Sequence, residues 1–156
     1  RAILVTGPVT PENLPPGVRA FPYLPYSTVF SRAAAVVHQS GIGTLAQAMR
    51  AGRPQLILPV AFDQPDNARR AAARGVGRVL PFQRVTARRL ASELAALLAQ
   101  PSYAHAARAI SESLAETDGA GRAADELIAC AGPGAGKAAQ ATLPAPTSET
   151  ADDARL

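Results

Sequence analysis

Two short stretches of this 156-residue chain carry residue types suited to binding or chemistry. The first is His38-Gln39-Ser40-Gly41-Ile42-Gly43-Thr44, which closes one apolar run and opens a helical pattern. Its two glycines let a ligand approach the main chain, and the first turn of a helix presents N–H groups with no intrahelical partner. A helix start of this kind is an anion site, and His38, at the strand end, has a ring N–H to offer a phosphate oxygen. The same pattern also fits a tight turn with a histidine satisfied by backbone. On this loop alone, phosphate binding and plain turn stand level. No Gly-Lys-Ser/Thr follows, which excludes a P-loop, and Ala46 stands where a dinucleotide fingerprint needs its third glycine.

The second stretch is Pro59-Val-Ala-Phe-Asp63-Gln64-Pro65-Asp66-Asn67. Asp63 and Gln64 together offer acceptors and donors that match the vicinal hydroxyls of a sugar. Either residue also suits the cap of a helix beginning at Pro65, and the two roles are compatible.

Alternating elements must hold these loops. Ala2–Thr6, Ala33–His38, Gln55–Val60 and Val76–Leu80 are short apolar runs of strand length, with a further short strand around Val18–Phe21. Tyr26–Arg32, Gly43–Ala51 and Pro65–Arg74 read as helices between them, with Gly52 and Gly75 as stops. From Thr86 the pattern is helical: Leu90, Leu94, Leu97 and Leu98 share one face, as do Tyr103, Ala107, Ile110 and Leu114. Asp118 is placed to cap a last helix carrying Ala123, Ala124, Leu127 and Ile128. Continuously apolar strands that alternate with helices predict an α/β fold, a Rossmann-like doubly wound parallel sheet covered on both faces, followed by a helical C-terminal segment. Its ligands belong at the carboxyl ends of the strands, where both loops fall. The organised domain is 1–130. Residues 131–156, rich in Ala, Pro and Gly without apolar periodicity, read as a disordered tail.

Composition narrows the function. Hydrophobic residues make up 47% of the chain, ample for a core, yet there are four Phe, three Tyr and no Trp. The formal charge of +4 suits an anionic ligand. Its arginines are scattered without a basic run or aromatic interleaving, which argues against nucleic acid. Cys130 is the only cysteine, so no internal disulfide and no cysteine-rich metal site is available. No apolar run has the length of a membrane span and no signal peptide is evident, so the expected location is cytoplasmic. The chain opens on a strand-like segment without an initiator Met, which suggests a piece of something longer.

His38-Gln-Ser-Gly-Ile-Gly-Thr44, Gly52-Arg-Pro54, Pro59 and Asp63-Gln64-x-x-Asn67-Ala68, taken in order, resemble the nucleotide-sugar signature of UDP-glycosyltransferase-like, family 1 type glycosyltransferases in their bacterial form. The resemblance covers roughly residues 1–130. It implies the C-terminal half of a GT-B fold, in which two Rossmann-like domains face each other and the C-terminal one binds the activated donor. By resemblance, His38, Ser40, Gly41, Gly43 and Thr44 contact the donor diphosphate, while Asp63 and Gln64 hold the donor sugar. Tyr23 lies where relatives often stack an aromatic on the base, though a loop aromatic filling core reads nearly as well. Asn67 supports the phosphate loop or the donor. Ser40 replaces a glycine usual in bacterial relatives, and Ala46 replaces the ribose-binding Glu of plant relatives.

The implied activity is transfer of a hexose from a UDP- or TDP-sugar to an acceptor hydroxyl, with inversion. The sugar nucleotide is a co-substrate, and no cofactor or metal is expected because there is no acidic cluster to hold one. The general base and the acceptor site would lie on a partner N-terminal domain, so no catalytic residue is assigned in this chain. Alternatives are a soluble donor-binding subunit of a split glycosyltransferase, a nucleotide-sugar epimerase and a non-catalytic nucleotide-binding module. Asp63-Gln64 points away from the epimerase.

Overall fold

A computed structural model describes residues 1–131. The tail expectation therefore falls, apart from Ala131, outside the described residues. The chain divides after Glu116 into two compact units.

The centre of the first unit is a three-stranded sheet. Its strands β3 (Val36–His38), β4 (Gln55–Ile57) and β5 (Gly77–Val79) are parallel and lie in the order β3-β4-β5. Helix α2 (Ile42–Arg50) carries the chain from β3 to β4, and α3 (Gln64–Ala73) from β4 to β5. Each helix stops where the sequence predicts. Gly52 takes a left-handed φ of 63° and its N–H reaches the Met49 carbonyl at 3.0 Å, and Gly75, at φ 70°, ends α3 in the same way.

Strand alternation sends neighbouring side chains to opposite faces. Ile57 packs on one face with Leu45 of α2, Ala68 and Ala71 of α3, Val76, and Ala107 of α5 (Pro101–Ala115). Leu56 packs on the other with Leu80 and with Leu97 of α4 (Ala87–Ala99). Leu56 and Ile57 are fully buried, and each contributes about 2 kcal/mol by removing its side chain from water. Helices thus cover both faces, as a doubly wound sheet requires. Helix α4 starts at Thr86, whose Oγ1 accepts the Arg89 N–H at 3.2 Å. Leu98 departs from the expected apolar face and is 51% exposed, because it falls just beyond the stripe that Leu90, Leu94 and Leu97 turn to the sheet.

The first two strands depart further from the expectation of one sheet. β1 (Ala2–Val5) and β2 (Val18–Phe21) form a parallel pair of their own. Every residue of β1 is exposed, Ile3 by 53%, although its apolar run predicted cover on both faces. Apolar periodicity reports that a segment seeks burial; it does not say which element supplies it. After β2, α1 (Tyr26–Phe30) stacks Tyr26 on Phe30 at 4.7 Å, and Phe30 packs with Val36 and Ala48.

The second unit is described by α6 (Gly119–Ala131) alone. Asp118 Oδ1 accepts the Gly121 N–H at 2.8 Å, the cap the sequence predicted. Leu127 and Ile128 are exposed. No helix among the described residues is long and apolar enough to cross a membrane.

Candidate functional site

The two loops singled out in the sequence meet at the carboxyl ends of β3 and β4, and hydrogen bonds tie them together. Ser40 is the knot. It is fully buried, with φ 69°, and its hydroxyl lies 2.8 Å from the Gln64 carbonyl and 2.5 Å from the Gln39 carbonyl. Asn67 Nδ2 donates to the Ser40 carbonyl at 3.0 Å and to Asp63 Oδ2 at 2.7 Å. Gln64 Oε1 accepts the N–H groups of Val60 at 2.9 Å and Ala61 at 3.3 Å. Asn67 therefore ties the first loop to the second.

His38 is turned inward. The Ser40 N–H donates to His38 Nδ1 at 3.0 Å, so that nitrogen carries a lone pair and the neutral ring holds its proton on Nε2. Nε2 lies 2.9 Å from Gln55 Oε1 and donates to it. Both ring nitrogens are thus engaged inside the protein, and the ring is only 7% exposed. The expected direct bond from His38 to a phosphate has no free ring N–H to make it, and the Ser40 N–H and hydroxyl are likewise occupied. Their position two residues before the helix was legible, but the direction of the groups was not.

What remains facing outward is the start of α2. No side chain caps this helix and its first turn contains no acidic residue, so the N–H groups and the positive end of the helix dipole stand open to an anion. Ile42 and Gly43 are exposed, and Gly41 and Thr44 are half-buried. Neither glycine is required by the protein itself. Both have φ outside the left-handed region; a Cβ at Gly43 would meet nothing within 4 Å, and one at Gly41 only the Gln39 amide at 3.4 Å.

At the second loop, Asp63 occupies the N-cap position of α3 without making a side-chain cap bond, and is exposed. Its carboxylate, bonded by Asn67 on one oxygen, keeps accepting capacity toward solvent. Gln64 is half-buried with its oxygen engaged, leaving its amide N–H groups as the available donors. Tyr23 is 75% exposed, which rules out the core-filling alternative. It lines an open cavity of about 410 Å3 together with Leu24, Pro25, Tyr26, Ser27 and Gln47.

Sequence reasoning missed three residues here. Gln55 is fully buried beneath the first loop, and its signal was a polar residue opening an otherwise apolar strand. Phe62, beside Asp63, is 95% exposed at φ 58°, a conformation unfavourable for a bulky side chain. Gln47 joins the cavity from α2 one turn beyond the loop.

Burial holds the His38 pKa below the ordinary value of 6.5, against the opposing effect of the Gln55 hydrogen bond. Folding therefore favours the neutral ring. Its stabilising effect is complete above pH 6.5 and is lost as the pH falls below that value toward the lower folded-state pKa. We expect the urea midpoint of the chain to drop as the pH falls below 6.5. A His38→Gln variant is expected to lose that part of the pH dependence; an unchanged pH profile in the variant would refute the assignment.

The Erythromycin biosynthesis protein CIII-like, C-terminal domain model matches residues 7–130. The chain belongs to that family. It is 42% identical over 102 residues to elloramycin glycosyltransferase ElmGT of Streptomyces olivaceus, covering 65% of this chain and 25% of that protein. Among solved structures it resembles the glycotransferase of kitacinnamycin with a TM-score of 0.72 and 29% identity, covering 80% of this chain and 34% of that one. Glycosyltransferase VinC, solved in complex with DTDP, matches with a TM-score of 0.62 and 38% identity over 65% of this chain and 26% of its own. The chain thus spans about a quarter to a third of the proteins it matches. The fold is the Rossmann-like C-terminal half of a GT-B glycosyltransferase, as the loops led us to expect.

Proposed function

We propose that the chain is the donor-binding domain of a glycosyltransferase, gripping the diphosphate of a UDP- or TDP-hexose at the start of α2. One observation carries this reading: Gly41 and Gly43 stand at an uncapped helix start where neither backbone conformation nor packing demands glycine. Gly43, inside the helix, costs about 0.5–1 kcal/mol relative to alanine, and close approach by a ligand accounts for keeping it. The relative solved with DTDP supports a nucleoside diphosphate as the ligand.

In this reading the main-chain N–H groups of α2 take the diphosphate, and Thr44 adds its hydroxyl. Charge building on the leaving diphosphate during transfer is stabilised by the helix start, already oriented before reaction, and no metal is called for. The exposed Tyr23 ring stacks on the base over the cavity that Gln47 also lines. Asp63 accepts from sugar hydroxyls and Gln64 donates to them. His38 and Ser40 act behind the loop, holding it. In this reading the general base for inverting transfer belongs to an N-terminal domain; of the two histidines in this chain, His38 is bonded on both nitrogens and His105 is an exposed residue of α5.

Calorimetric titration with UDP, TDP and their glucose conjugates tests this reading. We expect weak binding by the chain, at least tenfold weaker for Gly43→Ala, and no sugar transfer. The variant fills only open space, so lost binding reports the lost approach to the main chain. Equal binding by Gly43→Ala, or no binding of any of the four compounds, would sink the proposal, and transfer by the chain alone would overturn the placement of the base.

A further inference from the structure

Gln55 has no place in the binding reading above, yet it lies at the centre of the sheet with no exposed surface. The register pairs it with Val36 on one side and Gly77 on the other. From there its side chain reaches along the sheet, two positions past Val36, to His38 Nε2. Gly77 leaves the room: a Cβ there would lie 3.0 Å from Gln55 Cβ and closer still to its carbonyl. Gln55 Nε2 is buried and finds no partner among the described residues. An apolar side chain of the same shape would avoid that desolvation, so Gln55 is not explained as core filling. Its orientation is dictated instead. With Nδ1 accepting the Ser40 N–H, the Gln55 amide must turn its oxygen rather than its NH2 group to the Nε2 proton.

We propose that Gln55 is the positioning residue of the 38–44 loop, accepting the His38 Nε2 proton so that Nδ1 holds the Ser40 amide and with it the entry into α2. The relay runs from β4 through β3 into the loop, and Ser40 passes it to α3 through the Gln64 carbonyl and Asn67. Its consequence for a ligand rests on the donor-binding reading, whereas the loop geometry can be measured without one.

The test is nitrogen-15 NMR of the full chain, free of ligand, in wild type, Gln55→Met and Gln55→Glu. In wild type at pH 8 His38 is expected as the single Nε2–H form, with a slowly exchanging Ser40 amide. Gln55→Met keeps the side-chain shape and removes the acceptor. It should redistribute the His38 proton and speed Ser40 amide exchange at least tenfold, while amides of β5 and α5 stay as in wild type. Gln55→Glu restores an acceptor and should return the wild-type form at pH 8. A wild-type ring protonated on Nδ1 overturns the proposal even if neither variant folds, and so does a folded Gln55→Met with His38 and Ser40 unchanged. Titration of the same samples with UDP and TDP then separates the two readings. Absence of nucleotide binding by wild type would fail the donor-binding reading alone, and the tautomer result would stand.

Discussion

Gly77→Ala is expected to destabilise the chain by about 3 kcal/mol, the upper range for forcing extra volume into a packed core. A Cβ on Gly77 would lie 2.1 Å from the Gln55 carbonyl oxygen and 2.9 Å from its carbon, both backbone atoms of the central strand. They cannot yield separately. Gln55 N–H is held by the Val76 carbonyl at 3.0 Å and Leu80 N–H holds the Ile57 carbonyl at 2.9 Å, so relief means parting β5 from β4. Leu56 and Ile57 are fully buried on either side of that seam, and their packing would loosen with it. Urea unfolding measures the effect, with Gly43→Ala as its counterpart. At that exposed helical position, where a Cβ meets nothing, alanine should leave stability unchanged or raise it by about 0.5–1 kcal/mol. Equal midpoints for the two variants would mean that the β4–β5 approach is looser in solution.

Ser40→Val is expected to cost about 2–3 kcal/mol from two sources: a branched side chain in the left-handed region costs roughly 1–2 kcal/mol and the lost hydroxyl bond about 1 kcal/mol. Ser40 has φ 69° and its hydroxyl reaches the Gln64 carbonyl across the two loops. Ser40→Gly separates the contributions, because glycine adopts that backbone freely and loses only the hydroxyl. It should lie within about 1 kcal/mol of wild type. Valine and glycine variants of equal stability would show that the left-handed conformation at 40 does not persist in solution. The binding loop would then owe its shape to something other than this knot.

Much of the architecture was legible because it is local. The apolar runs at Val36–His38, Gln55–Ile57 and Gly77–Val79 and the helices between them appear where period and length place them, within a few residues. Gly52, Gly75, Thr86 and Asp118 act as the stops and caps their types announce, since a cap or a left-handed turn is settled by residues three or four apart. The helix start after His38 is legible for the same reason: a glycine-bearing turn between an apolar strand and an apolar helical stripe leaves few other conformations.

The inward turn of His38, the burial of Ser40, the separate β1–β2 pair and the exposure of β1 and Leu98 were not legible. Each depends on partners far along the chain: Gln55 lies 17 residues from His38, and Gln64 lies 24 from Ser40. Strand register and helix placement create those neighbours, and one residue of slip would exchange the face on which every strand side chain lies. By itself, the sequence determined which segments are strands and helices and that an open, glycine-bearing helix start follows β3. Only the tertiary structure decided that the histidine before it faces a buried glutamine, because hydrogen-bond direction is set by which groups the packed sheet brings within reach.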